Sequence, residues 1–378
     1  MSIHRFNSKD SFPHFMLKEI YEQPEAVRRV IEGRVDGNAS VSLPKLKLSA
    51  SEIREFSKIT IAASGSSRHA GMVGEFLLER MTGVDVEVDF ASQYCYRDPV
   101  VGPHELTIFL SQSGTTIDTL TALKVARRKG AKSLAICNTP ETPLTRNADT
   151  ALLTHAGEEV AIAATKSFTT QLALLFLLSA HFAHVRGIAQ EITARAIQQL
   201  PRVPEYIRQA LETDDACHRF AGQLYKYRDF IYIGRDIDYP IALEGALKLK
   251  EVSYIHAEGY PSGELKHGPT ALVSEDLPVV ILATHDKQDP ESMLLYEKSL
   301  SSLHEFVQRE IPVIAIASEG DQEIRNLTSG VVFVPEVPTL LQPIVEVIPL
   351  QLLAYHIAVL CGRNVDRPRH LSKSVVVE

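Results

Sequence analysis

The chain has 378 residues, 45% of them hydrophobic and 23% charged, the balance of an ordinary soluble globular protein with room for about two domains. A formal net charge of −8 disfavours a nucleic-acid binder, which usually carries a basic balance or stripe. Cys95, Cys137, Cys217 and Cys361 stand apart without CxxC spacing, so neither a zinc site nor a disulfide framework is expected, and a reducing compartment is.

The opening MSIHRFNSKDSFPHFM lacks an apolar signal core. No run reaches the ~18 apolar residues needed to span a bilayer. LQPIVEVIPLQLLAYHIAVL (341–360) comes nearest, but Gln, Glu and His interrupt it, so a buried helix is expected there. These features together predict a cytoplasmic protein with neither nucleic acid nor membrane as a partner.

In chain order, residues 15–34 predict an amphipathic helix interrupted near Pro24, and Ser49 and Glu52 stand at capping-box spacing. Strands are predicted at KITIAAS (58–64), VDVEVDF (84–90), LTIFLS (106–111), SLAICN (133–138) and ALLT (151–154). Helices are predicted over about 68–82, over 115–130 and, as a long apolar segment, over about 166–186. Residues 188–228 read as polar and mostly helical. The alternation restarts with DFIYIG (229–234), a helix over about 240–252, PVVILAT (278–284), a helix over about 291–309, PVIAIAS (312–318), VVFVP (331–335) and a last helix. Short apolar strands alternating with helices predict parallel sheets covered on both faces, here as two tandem doubly wound α/β domains.

Chemistry concentrates in a few short segments. SQSGTT (111–116) joins a strand to a helix, where hydroxyls, backbone N–H groups and the helix dipole suit a phosphate. The alternative is that Ser113, Thr115 or Thr116 caps the helix. No Walker lysine or GxGxxG is present, so nucleotide readings are poor. SGSS (64–67) makes a similar turn, and two such turns on neighbouring strands would place Ser67, Ser111, Ser113 and Thr116 around one anion. ATKSFTT (164–170) is a third hydroxyl-rich helix start, better read as a capped buried helix. In KLKEVSYIHAEGYPSGELKHGP (248–269), Lys248 and Glu251 share a helix face and His267 follows on a Gly/Pro-rich loop, a candidate acid/base pair. The alternative is a solvated helix face and a surface loop. The tail DRPRHLSKSVVVE (366–378) is polar, then β-like, and Lys373 by itself reads as a solvated lysine.

HFMLKEIYEQPEAV, LSQSGTT, LAICN, ATKSFTTQLALL, YPIALEGALKLKEVSYIHAEGYPSGELKHGP, VIPLQLLAYHIAVL and PRHLSKSVVVE together resemble the isomerase part of the glucosamine-6-phosphate synthase (glutamine–fructose-6-phosphate aminotransferase) family. The resemblance runs from about residue 14 to 378. It implies two tandem sugar-isomerase (SIS) domains, each a flavodoxin-like α/β/α sandwich around a parallel sheet, in a homodimer. The division expected is an arm and helix over 1–40, SIS domains over 41–200 and 201–365, and an active-site tail over 366–378.

The resemblance also implies roles. Ser67, Ser111, Gln112, Ser113 and Thr116 fall on phosphate and sugar-hydroxyl positions, and Glu159 on a glutamate beside the active site. Glu251 falls on the base that moves a proton between C1 and C2. Lys248 stands where a cation near the developing enolate is expected. His267 falls on the ring-opening residue, lent by the neighbouring subunit, and Lys373 on a tail lysine that contacts the open-chain sugar and can form a Schiff base. No metal and no cofactor is implied.

The sequence departs from the family pattern in four ways. Met1 is followed by Ser2, where the full-length synthase begins with a glutaminase domain and its N-terminal cysteine. SQSGTT replaces SQSGET, AATK replaces ASTK and SGSS replaces CGTS, changes that favour a stand-alone protein over an excised fragment. The function expected is therefore an isomerase/deaminase interconverting glucosamine 6-phosphate with fructose 6-phosphate and ammonia. Two alternatives stand beside it: an enzyme for a related amine-linked sugar phosphate, with Ala164 and Thr115 reshaping the pocket, and a non-catalytic phosphosugar sensor.

Overall fold

The computed structural model describes residues 9, 11–35 and 40–375. The end of the β-like tail, residues 376–378, and most of the N-terminal arm lie outside the described residues. The chain divides into two compact units.

One unit comprises Glu25–Gly157, Ser167–Pro201 and the tail from Ser372. Its sheet contains β1 (Lys58–Ala63), β2 (Asp85–Phe90), β3 (Glu105–Ser111), β4 (Lys132–Cys137) and β5 (Thr150–Leu153). All pairings are parallel and the order is β2-β1-β3-β4-β5. The interior strands β1, β3 and β4 are almost continuously buried, as helices on both faces of a parallel sheet require.

The other unit comprises the described residues up to Pro24, then Glu158–Lys166 and Arg202–Leu371. Its strands are β6 (Asp229–Gly234), β7 (His256–Pro261), β8 (Val279–Ala283), β9 (Val313–Ser318) and β10 (Val331–Val334), again all parallel, in the order β10-β9-β8-β6-β7. Renumbered within each sheet, both units read 2-1-3-4-5, the flavodoxin-like doubly wound order. The two copies expected from the alternation of strands and helices are present.

Nine strands and the major helices fall where the sequence places them. The predicted helix over 15–34 forms as Phe15–Tyr21 and Gln23–Ile31, with the break at Glu22, two residues before Pro24, which sits in the first turn of the second helix. The Ser49–Glu52 capping box forms. The strand β7 is absent from the prediction, because HAEGYP reads as loop on its Gly and Pro. It forms as an edge strand, pairing only with β6, and an edge tolerates the terminal Pro261. Gly259 has a specific reason to be there: a Cβ on it would stand 2.8 Å from the Leu243 Cα, so its absence lets the helix Tyr239–Ser253 lie close against the strand.

The expectation about apolar runs needs one correction. Lys166–Val185 as well as Thr339–Leu360 is long and apolar enough to cross a membrane by length and composition, and 83% of each apolar window is buried inside the protein. Ser, Thr, Gln and His scattered through Lys166–Val185 had masked that length.

Candidate active site

In the β1–β5 unit the connections from β1 and β3 leave neighbouring strands in opposite directions. This is the topological switch point at which open α/β sheets hold ligands. The two turns there are Ser64–Ser67 and Ser111–Thr116. Ala63 and Leu110 are register partners, so both turns emerge at the same level of the sheet.

The turn after β3 is shaped by Gly114 at φ +66°, where a Cβ would stand 2.2 Å from Thr142 Oγ1 and 2.8 Å from Cys137 Sγ. No side chain but hydrogen fits there. The Gly114 N–H donates to Ser111 Oγ at 3.0 Å, and Ser111 Oγ lies 3.4 Å from Thr116 Oγ1. Thr116 is the N-cap of the helix Ile117–Arg128, yet its side chain makes no capping hydrogen bond. Gly65, at φ +56°, caps the helix Ser66–Thr82, also without a side chain. The capping alternative is therefore not realised at either turn, and Ser113, Thr115 and Thr116 keep their hydroxyls for other partners. Ser67 Oγ accepts from Gln171 Nε2 at 3.0 Å, and the Gln112 carbonyl accepts from the Asn138 N–H at 3.2 Å.

The tail belongs to this unit. Ser374 Oγ lies 3.0 Å from both Ser113 Oγ and Thr115 Oγ1, and the Ile117 N–H donates to the Val375 carbonyl at 3.0 Å. Lys373 is thus carried on a tail fixed to the β3 turn.

The β6–β10 unit has a switch point of opposite character. The turns after β6 and β8 carry Asp236, Asp238 and Asp286. Thr284 donates to the buried Glu346. Burial first, and then the proximity of the two groups, raises the carboxyl pKa of Asp238; Glu346 is raised chiefly by burial. Buried carboxyls, with more acidic groups around them, do not suit an anion.

The acid/base candidates in this unit lie instead on the helix Tyr239–Ser253. Lys248 is fully buried, which overturns the solvated-face alternative. Its ammonium is 3.4 Å from Glu244 Oε1, one turn earlier, and is ion-paired with Glu251 one turn later. Burial opposes the charge on Lys248, but Glu244, then Glu251, through their charges and hydrogen bonds, hold its pKa above the ordinary lysine value. Glu244 is also fully buried, whereas the Glu251 side chain keeps 23% of its surface exposed. Lys248 is therefore a fixed cation, and Glu251 is the carboxylate of the pair that solvent and solutes can reach.

Glu244 was not singled out in the sequence. The signal was available: it is i−4 from Lys248 in EGALK, the spacing of a helical ion pair.

His267 is exposed, in the 3₁₀ turn Glu264–His267. No hydrogen bond or ion pair among the described residues joins it to Glu251. Glu159 is buried and accepts from the Thr165 N–H at 2.9 Å, bracing the loop that leads into ATKSFTT. The same loop is held by Glu19, which accepts from the Val160 N–H, and by Glu22, 2.6 Å from Lys166 Nζ. These two carboxylates were also missed, since on an amphipathic helix they read as solvated charges. Ser67, Ser111, Gln112, Ser113, Thr116 and Lys373 thus lie in one unit, and Glu159, Lys248, Glu251 and His267 in the other.

The family described as "SIS domain" matches residues 52–180 and 223–361. A glutamine–fructose-6-phosphate aminotransferase (isomerizing) of Chlorobaculum tepidum is 47% identical over 371 residues, which is 98% of this chain and 59% of that protein. The counterpart from Thermus thermophilus is 47% identical over 374 residues, with 98% and 60% covered. The chain thus spans about 60% of the length of these curated relatives. Among solved structures, the C-terminal domain of a glucosamine–fructose-6-phosphate aminotransferase from Francisella tularensis superposes with a TM-score of 0.88 at 38% identity, covering 96% of this chain and 100% of that one. A glucosamine-6-phosphate deaminase from Thermotoga maritima shares the fold, with a TM-score of 0.71 at 22% identity over 96% of this chain and all of its own.

Proposed function

The chain belongs to the SIS-domain family, and from that premise we propose that it is a phosphosugar aldose–ketose isomerase interconverting fructose 6-phosphate plus ammonia with glucosamine 6-phosphate plus water. One observation carries the catalytic reading over a binding-only one. Lys248 is a buried ammonium kept charged by two carboxylates. A module that only grips a phosphate has no use for so costly an arrangement. A base paired with a fixed cation is what enolisation asks for.

The roles follow from the chemistry. Ser67, Ser111, Gln112, Ser113 and Thr116 take the phosphate and nearby sugar hydroxyls, and Glu159 braces the loop that precedes Lys166. A sugar phosphate must open before its carbonyl reacts, which needs a proton shuttle; His267 is that group, reaching the sugar of the partner subunit in a homodimer. Glu251 moves a proton between C1 and C2, and Lys248 favours the negative charge that develops on oxygen. Lys373 contacts the open-chain carbonyl, and a neutral lysine there can condense with it. No step calls for a metal or a cofactor.

The test is to supply purified protein with glucosamine 6-phosphate and assay ammonia and fructose 6-phosphate, then to run the reverse direction with ammonium. Turnover that survives Glu251→Gln overturns the mechanism.

A second reading is favoured by Thr115 and Ala164, which stand where the family carries glutamate and serine: the amine is not ammonia but a larger amine linked to the sugar phosphate. A panel of amine-linked 6-phosphosugars separates the two. Phosphosugar binding without turnover of any member would leave the sensor reading.

A further inference from the structure

Three hydroxyls meet where the tail touches the β3 turn. Ser113 Oγ, Thr115 Oγ1 and Ser374 Oγ are each 3.0 Å from the other two. Each hydroxyl has one proton to give and room to accept, so the three close a ring in which every donor is used. The Thr115 N–H adds a further bond to Ser113 Oγ at 3.2 Å. Immediately downstream, the Ile117 N–H donates to the Val375 carbonyl, and Ser372 Oγ donates to the Ser374 carbonyl at 3.2 Å. The tail is therefore fixed to the turn at Ser374 and at Val375, directly after Lys373, while the Ser372 bond shapes the tail itself.

We propose that Thr115 and Ser374 are positioning residues: their hydroxyl contact docks the tail on the β3 turn before any sugar arrives and so presets the place of Lys373. This rests on the phosphosugar reading only for the use made of Lys373; the docking itself does not depend on it. The side chain at 115 decides the matter. A threonine donates to one serine and meets the other within a neutral ring, and its β-branch restricts χ1. A glutamate at this place, as in the family pattern, has no proton to complete such a ring at neutral pH. Preorganising a group that must react lowers the ordering cost at the moment of binding.

Phosphate binding is compatible with this arrangement. Hydroxyl rotors can turn towards an anion without moving a heavy atom, and the charge-assisted bonds that result are stronger than those of the ring. The tether then tightens on binding but does not await it.

The experiment uses the whole chain. Thr115→Val keeps the shape and removes the hydroxyl, Ser374→Ala removes its partner, and Thr115→Ser restores the donor. The direct readout is hydrogen exchange at the Ile117 amide in the ligand-free protein, since its acceptor is the tail carbonyl of Val375. Exchange is expected to speed up roughly tenfold in Thr115→Val and Ser374→Ala, the scale of one or two lost hydrogen bonds, and to stay at the parental rate in Thr115→Ser. In turnover of glucosamine 6-phosphate, the same two variants are expected to lose kcat about tenfold with a smaller change in KM, together with the yield of borohydride-trapped sugar on Lys373. Unchanged Ile117 exchange in Thr115→Val overturns the proposal even where turnover is normal. An accelerated Ile117 amide with kcat and trapping unchanged overturns the positioning role. Faster Ile117 exchange in the two variants, alongside a parental protein that turns over no phosphosugar, supports the docking and refutes the phosphosugar reading.

Discussion

Replacing Lys248 with methionine removes a cation from a fully buried site while keeping most of the side-chain volume. At 3.4 Å from Glu244, and with an effective dielectric of about 20, the lost attraction is about 5 kcal/mol. The loss is capped, because Glu244 can take up a proton. For a carboxyl with an ordinary value near 4.3, that costs about 4 kcal/mol at pH 7 and about 1 kcal/mol at pH 5. Glu251, partly exposed, regains water and adds little. The variant is therefore expected to be about 4 kcal/mol less stable at pH 7, with a deficit that shrinks as the pH falls towards 5.

The parental pair is expected to give no such slope in that range. Its lysine is raised above the ordinary value of 10.5, so its contribution is fully present below that value and is lost only on titration above it. The double variant Glu244→Gln, Lys248→Met removes both charges and is expected to recover most of the loss. Denaturant unfolding of the parental protein and the two variants at two pH values is the assay. A deficit below about 1 kcal/mol at pH 7, or one independent of pH, refutes the buried-pair account.

Gly114→Ala forces a Cβ against Thr142 and Cys137 at a left-handed position; a loss of roughly 2 kcal/mol in stability is expected, with weakened binding of fructose 6-phosphate by calorimetry. Gly259→Ala should push the helix Tyr239–Ser253 away from β7, since the new Cβ meets the Leu243 backbone at 2.8 Å, and the measurable result is a kcat loss much larger than any change in sugar-phosphate affinity. Glu75 is raised from 4.5 to about 7, by burial first and by Glu79 next, with Arg68 opposing. Its folded-state value lies above its unfolded one, so the folded protein holds a proton that the unfolded chain releases, and stability should fall as pH rises from about 4.5 to about 7. The fall is at most about 3 kcal/mol, and Glu75→Gln should flatten that limb of a melting-temperature profile.

Much of this architecture could be read from the residues. Interior strands such as ITIAA and TIFLS announce themselves because both faces of a parallel sheet are covered, so most positions are apolar and the few hydroxyl residues are small and buried. The edge strand HAEGYP has no such pattern; its glycine and proline answer to the approaching helix and to an unpaired edge, which are tertiary facts. Lys248 illustrates the converse. Its i+3 carboxylate was visible in the sequence, but whether the pair faced water or core depended on packing around the helix. The hydroxyls of SQSGTT were ambiguous between capping a helix and facing a ligand; the absence of a side-chain cap at Thr116 removes the first reading there, and only tertiary structure could show it. The contact between Ser374 and Thr115 joins residues 259 apart in sequence, beyond the reach of any local rule.

The central claim is that Glu251 transfers a proton between C1 and C2 of a 6-phosphosugar. It is tested most directly by following glucosamine 6-phosphate by NMR in D₂O with the parental protein and with Glu251→Gln. The account predicts loss of the C2 proton signal as fructose 6-phosphate and ammonia appear, and a rate at least 100-fold lower in the variant, the scale of general-base catalysis. A sugar phosphate that binds the parental protein and keeps its C2 proton, or a variant that turns over at the parental rate, would contradict it.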